Sequence, residues 1–512
     1  MTIDPAAGVA ARAALVWQRI TLVLDRHRFL LLLVLGLAFF AATIPRARAT
    51  PFWHDEIYTL LLSRVPSVGD IWSAARGGAD LTPPLNLYLT RAAESLAGAG
   101  HVSSRLPALF GFSLMTLAVF QIVRGRSNVL VACSAALLPW YTQGYRYSYE
   151  ARGYGMMLGL CALLFWSWSE AAAGRRRRVW LPIFAVTCAA TLWNHYFGAV
   201  TFVPIACGEL YRWTKRRSPD WPLWLAGAAG LALCAPLVTL LQNASAGGTT
   251  YWRTAVWADI PQTYQLLFHN IWEINPWALA LLGLAVVLGL VLGSAQLQSS
   301  FVPGYEVAAA IVAICMPVLA VGLGHLSGGF APRYALSGVV GVAIVVPLFV
   351  WWISRRSRAL EGLLLGVLAV NIAIPALGPA PAFRDPVAVR PRFVEQLKGS
   401  PDIVVSGPLQ FLQLWYYAPE SLRPRLWYVA DPEKAMRFLK WDTADRGFIK
   451  LAQWAPIGVR TYDQLLNQQS FELYDDGSGW LPAQLQEAGA IVTGSTSEFG
   501  ARVVHVAMPP RR

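Results

Sequence analysis

The chain has 512 residues, of which 55% are hydrophobic and 14% charged, against about 25% charged in ordinary soluble proteins. With a mean hydropathy of +0.44, this composition excludes a simple soluble enzyme and points to a chain built largely in lipid. The net charge is +13, but residues 1–378 hold 27 Lys+Arg against 15 Asp+Glu while the tail holds 15 against 14; the excess lies where positive charge sets membrane topology, which removes nucleic acid as a partner.

The first apolar run, FLLLLVLGLAFFAATI (29–44), follows an N-terminus carrying Arg12, Arg19, Arg26 and Arg28. It is as long as a membrane span and lacks a clear small-x-small site, so it is expected as the first span and not as a cleaved leader. Ten more spans are expected near 106–123, 128–143, 154–172, 179–195, 197–211, 222–241, 277–295, 304–323, 334–353 and 359–377. Backbone polar groups have no water partners in the hydrocarbon, so helices are the natural spanning form. With these spans, the basic loops at Arg124 and Arg126, Arg175 to Arg178, Arg212 to Arg217, and Arg355 to Arg358 all fall on the side of the N-terminus, which is then cytoplasmic. The six cysteines all lie in apolar segments without metal spacing and read as small buried hydrophobes.

The first outer loop, 46–105, opens with PFWHDEIYTLLLSR. After Pro51 the pattern is helical, with Ile57, Leu60 and Leu61 apolar, and His54, Asp55 and Glu56 stand side by side at its start. Neighbours on a helix lie about 100° apart. Asp55 and Glu56 therefore cannot face one site equally: one is expected to work and the other to be held by a basic partner. The bland alternative is that both merely complement the helix dipole. Pro83–Pro84 is expected to start a second helix with Leu85, Tyr88 and Leu89 on one face, and Arg105 sits where the second span begins.

Beyond the third span, YTQGYRYSYEARGYG (141–155) places Arg146, Glu150 and Arg152 among tyrosines. It reads either as an aromatic belt with snorkelling arginines or as a functional cluster, since ionisable groups close to spans are costly. Asn194 and His195 end the fifth span on the same side, where a lone His also suits a plain interface role. The loop 242–276 is rich in Tyr and Trp, and GHLSGGFAPRYAL (324–336) brings His325 and Arg333 to the outer mouth of the tenth span. Pro375, Pro379, Pro381 and Pro386 then mark a linker. The tail, 379–512, is expected as a small α/β domain with strands at 402–407, 425–430 and 502–508 and helices at 408–418, 432–441 and 481–489. It carries no phosphate-binding glycine fingerprint.

Five segments, HDEIYT (54–59), PPLNLYL (83–89), SSRLPALFG (103–111), YSYEARGYG (147–155) and APRYAL (331–336), lie in order and on one expected side. Together they resemble the GT-C superfamily of polytopic glycosyltransferases, in the bacterial branch related to protein O-mannosyltransferases and aminoarabinose transferases. The resemblance implies a GT-C-like membrane catalytic domain, 1–378, followed by an extracytoplasmic domain, 379–512. It implies transfer of a sugar from a polyprenyl-phosphate donor to a glycan, lipid or protein hydroxyl on the outer face of the cell (inner) membrane, with inversion, in cell-envelope glycan biosynthesis. Asp55 matches the family's general base and Glu56 its second acidic position, which holds the acceptor or a basic partner. Arg152 and Arg333 match motif arginines that would neutralise the donor phosphate, with Arg105 and Arg146 behind them and Glu150 holding one in place. His54, Tyr58 and His195 complete the candidate substrate-binding set. Some relatives use a divalent metal and others none, so a metal stays open. The competing readings are a flippase for a lipid-linked glycan, which is expected to show repeats and interrupted helices, and an assembly protein working through its tail.

Overall fold

The computed structural model describes residues 5–246, 248–268, 303–353, 357–376, 378, 381–388, 402–498 and 500–509. The chain forms two compact units. One comprises Met1–Arg46, Leu106–Ala235 and Ala255–Ala380; the other comprises Ala47–Arg105, Pro236–Thr254 and Pro381–Arg512.

The first unit is helical. Among the described residues three helices, Arg28–Ala49, Ser103–Arg124 and Tyr154–Ala172, are long and apolar enough to cross a membrane. Two bent pairs meet the same measure if each is one span: Trp221–Ala232 with Ala235–Asn243, bent by 43°, and Gly304–Ile314 with Met316–Ser327, bent by 59°. Pro236 and Pro317 sit in the first turn beyond each break, where proline withholds the N–H that would continue the preceding helix. Three to five crossings thus stand against the eleven expected. Helices occupy the other expected positions without meeting that measure, and 277–295 lies outside the described residues. Phe29, Leu33 and Leu37 are exposed along Arg28–Ala49, as side chains facing lipid would be.

Leu106–Arg124 and Tyr154–Ala172 pack closely because both are small at the contact. A Cβ built on Gly155 would lie 2.6 Å from the Ala108 carbonyl oxygen, and one built on Gly159 would strike the Gly111 backbone. Gly155 and Gly159 are four apart on one helix face, the small-xxx-small spacing that lets helix backbones approach in lipid. At the helix ends that carry the basic loops, acids meet the arginines. Arg126 pairs with Glu306, both nearly fully buried, and with Ser169. Asp220 receives Arg177, Arg212 and Arg216.

The second unit is mixed. Its sheet has strands β1 (Ile403–Val405), β2 (Leu426–Val429), β3 (Val459–Arg460), β4 (Ser470–Asp475), β5 (Ile491–Glu498) and β6 (Ala501–Ala507), in the order β3-β2-β1-β4-β6-β5. The first four strands are parallel, and β6 runs antiparallel between β4 and β5. Ile403, Val404 and Val405 are fully buried, as suits a central parallel strand covered on both faces. The expected strands are β1, β2 and β6, and the expected tail helices are Pro408–Tyr417, Pro432–Phe438 and Leu481–Glu487. A further helix, Thr443–Leu451, and strands β3, β4 and β5 were not anticipated.

The same unit holds the loop helices His54–Ser63, Val68–Arg76 and Leu85–Ala97. The third begins directly after Pro83–Pro84, as expected, but its buried residues are Asn86, Leu87 and Thr90, and not Leu85, Tyr88 and Leu89. Val68–Arg76 is closed by a capping box between Ser67 and Asp70.

Candidate active site

The expected site residues fall into two groups, one in each unit. In the mixed unit the helix His54–Ser63 starts at an extended Trp53 N-cap, whose backbone N–H donates to Glu56 Oε2 at 3.3 Å. Asp55 and Glu56 share this first turn, where the helix dipole favours carboxylates, yet their surroundings differ. Glu56 has no exposed surface, and Asp55 is half-buried.

Glu56 is gripped by Arg105 in a two-pronged pair, Nε to Oε1 at 2.7 Å and a terminal nitrogen to Oε2 at 2.8 Å, with both side chains fully buried. The remaining N–H groups of Arg105 go to the carbonyls of Ala47, Thr50 and Pro51. A guanidinium has five N–H donors, and all are taken, while its plane lies 4.7 Å from the Phe52 ring centroid. This geometry leaves Arg105 no donor for a phosphate, contrary to the expectation that placed it behind Arg152 and Arg333. With no exposed surface Glu56 cannot touch an acceptor; it holds a basic partner, one of the two roles expected of it.

His54 lies against Tyr58 and Phe448, with ring centroids 5.9 and 5.6 Å away. Tyr58 donates its hydroxyl to Gly447 O at 2.7 Å. Both side chains thus meet the tail helix Thr443–Leu451 or the residues at its heart.

In the helical unit the short helix Gln143–Tyr147, N-capped by Thr142, leads into the turn that carries Glu150 and Arg152. Arg146 is exposed and reaches the buried Glu150 at 3.4 Å, four residues on. Asn194 donates to Gly153 O at 2.8 Å and so fixes the turn just after Arg152. Arg333 sits in the 3₁₀ turn Pro332–Ala335, and its Nε donates to Tyr154 Oη at 2.9 Å. The guanidinium lies 5.8 and 5.9 Å from the Tyr154 and Tyr334 ring centroids, within cation–π range. His195 is buried between these two rings, 5.4 and 5.2 Å away, and accepts the Phe197 N–H on Nδ1. Both Arg152 and Arg333 lie within electrostatic reach of His195.

Tyr147 stands 5.0 Å from Tyr154, centroid to centroid. Burial pushes its phenol well above the usual range, Glu150 adds to this, and Arg333 and Arg146 pull the other way. The fold therefore gathers Arg146, Glu150, Arg152, His195 and Arg333 around a wall of tyrosines. The contributions of Tyr147, Tyr154 and Tyr334 were legible only as an aromatic belt, because nothing in their spacing separates a ring that braces an arginine from one that faces lipid. Among the described residues no three His, Cys, Asp or Glu side chains come together as a metal-ligand set.

No family model matches the chain, and no curated protein matches it. Among solved structures, the crystal structure of ArnT from Cupriavidus metallidurans bound to undecaprenyl phosphate is similar, with a TM-score of 0.55 and 14% identity over 94% of this chain and 99% of that one. The same protein in the apo state gives a TM-score of 0.53 and 13% identity over 95% and 100%. At this identity the likeness is one of fold, and the chain has the ArnT fold almost end to end. ArnT is an aminoarabinose transferase of the GT-C superfamily, so the architecture implied by the five motifs is the one found.

Proposed function

We propose that the protein is a membrane glycosyltransferase that moves a sugar from a polyprenyl-phosphate donor to an acceptor hydroxyl. One observation carries this reading: of two adjacent carboxylates, Glu56 is sealed and fully engaged by Arg105, while Asp55 keeps an exposed edge. A buried, saturated pair that fixes the first helical turn is what a neighbouring general base needs in order to be held in place.

In the reaction, the acceptor oxygen attacks the anomeric carbon and gives its proton to Asp55. The bond from the anomeric carbon to the phosphate oxygen breaks, and its electron pair leaves with polyprenyl phosphate. A single displacement of this kind inverts the anomeric centre. Arg152 and Arg333 neutralise the charge that builds on the phosphate, as planar guanidinium forks do well. Tyr154 and His195 orient Arg333, and Glu150 restrains Arg146 as an outer member of the cluster. Asp55 replaces any need for a metal-activated nucleophile, so no step here runs through a metal. That ArnT has been seen with undecaprenyl phosphate supports a polyprenyl-phosphate partner. The basic loops support a cytoplasmic N-terminus in a cell (inner) membrane and an outward-facing tail.

Asp55→Asn keeps size and polarity but removes the base. Transfer by the purified variant is expected to fall by roughly 10²–10⁴-fold, with membrane insertion unchanged. Transfer at the wild-type rate would remove Asp55 from this role.

The two bent helix pairs favour a second reading, because interrupted helices also mark transporters of lipid-linked substrates. Movement of a lipid-linked glycan across vesicles without a new glycosidic bond would support it over transfer.

A further inference from the structure

Phe52 lies three residues before Asp55, and both of its backbone polar groups are held by one helix of the tail. Its N–H donates to Tyr417 Oη at 2.7 Å, and its carbonyl accepts Gln413 Nε2 at 2.9 Å. Gln413 and Tyr417 are four apart on Pro408–Tyr417 and so share a face. The Phe52 ring is buried, edge-on to His101 at 4.4 Å and to Tyr416 at 5.8 Å.

Tyr417 Oη also lies 3.2 Å from His101 Nε2, and His101 Nδ1 lies 3.0 Å from Arg48 O. A carbonyl oxygen can only accept, so Nδ1 carries the proton and the neutral ring offers Nε2 as an acceptor. The Tyr417 O–H fills it, and the tyrosine oxygen is left to accept the Phe52 N–H. The bonds thus form one directional chain, from Phe52 through Tyr417 to His101, with His101 anchored in turn on Arg48. Arg105 holds the carbonyls of Ala47, Thr50 and Pro51 inside this same stretch. On the far side of Asp55, Tyr58 donates to Gly447 O. The backbone bearing Asp55 is therefore tied to the tail three residues before and three residues after it.

We infer that Tyr417 and His101 are positioning residues, through which the C-terminal tail sets the placement of Asp55. This rests on the reading of Asp55 as the general base. A catalytic group displaced by about 1 Å commonly costs on the order of 100-fold in rate, so a neutral hydrogen-bond chain on its backbone has a direct route to turnover. The tail then serves as the brace of the catalytic loop, and its own sheet needs no ligand.

The test uses the full-length purified protein and two variants. Tyr417→Phe keeps the ring and removes the hydroxyl. His101→Asn keeps an N–H for Arg48 O and removes the Nε2 acceptor, so a folding failure in one variant leaves the other. Hydrogen exchange of the peptide spanning 50–56 is expected to speed up roughly tenfold at Phe52 in both, the size of one ordinary hydrogen bond. With a panel of polyprenyl-phosphate sugars, kcat is expected to fall about tenfold or more while KM for the donor stays unchanged. Wild-type protection at Phe52 in the variants would overturn the chain. Lost protection with kcat intact would overturn the positioning role. Were the wild-type protein to transfer no sugar, the reading of Asp55 would fall, and the exchange data would still uphold or overturn the chain itself.

Discussion

Arg105→Met would leave Glu56 inside the mixed unit without its guanidinium, and a buried carboxylate stripped of its partner costs about 3–5 kcal/mol. Thermal unfolding of the solubilised variant should show that loss as a large fall in Tm. Arg146→Ala should behave differently, because Arg146 is 65% exposed and 3.4 Å from Glu150; pairs of that kind contribute about 0–1 kcal/mol. A Tm close to wild type is expected for it, and a large fall would show that Arg146 is structural. His101 adds a pH dependence. Burial and then Arg105 hold its imidazole below the ordinary range, while the Arg48 carbonyl and Glu56 pull it up. Its folded value is thus lower than its unfolded one, so its contribution to stability is complete above the unfolded value of about 6.5 and is lost as pH falls. Protection of the Phe52 amide, corrected for intrinsic exchange, should therefore weaken on acidification below about pH 6.5 in the wild type and show no such step in His101→Asn.

Among the elements, the contact of Leu106–Arg124 with Tyr154–Ala172 depends on Gly155 and Gly159 having no side chain. Gly155→Leu should wedge the pair apart and lower the yield of folded protein, whereas an Ala in the exposed Gly174 loop should not; equal yields would contradict the packing. The GYG of YSYEARGYG was read for its arginine and tyrosines, and the GxxxG spacing that begins at its last glycine serves packing. Other elements were legible to different degrees. Strands β1, β2 and β6 are short apolar runs and could be read directly. β4 could not, because Glu472 and Asp475 interrupt its apolar pattern; in the fold His505 and Arg502 of β6 answer them across the ladder. Thr443–Leu451 has too little apolar content to stand out, yet its Phe448 is fully buried beside His54. The pairing of Glu56 with a base was foreseeable from helix geometry, but the identity of that base was not, since Arg105 lies 49 residues away.

For the whole molecule, the basic loops place the N-terminus and the tail on opposite sides of the membrane. A cysteine introduced at exposed Ser478 should react with a membrane-impermeant thiol reagent added outside intact cells, and one at exposed Arg217 should react only after lysis. The opposite pattern would invert the topology and with it the face on which transfer occurs. The central claim is that this ArnT-like fold breaks a sugar–phosphate bond using Asp55. The most direct measurement is the release of free polyprenyl phosphate from a polyprenyl-phosphate sugar by the purified protein, with the glycosylated acceptor identified by mass spectrometry. The account predicts stoichiometric release and glycosylation by the wild type and neither above background by Asp55→Asn. Donor left intact by the wild type, or equal release by both proteins, would contradict it.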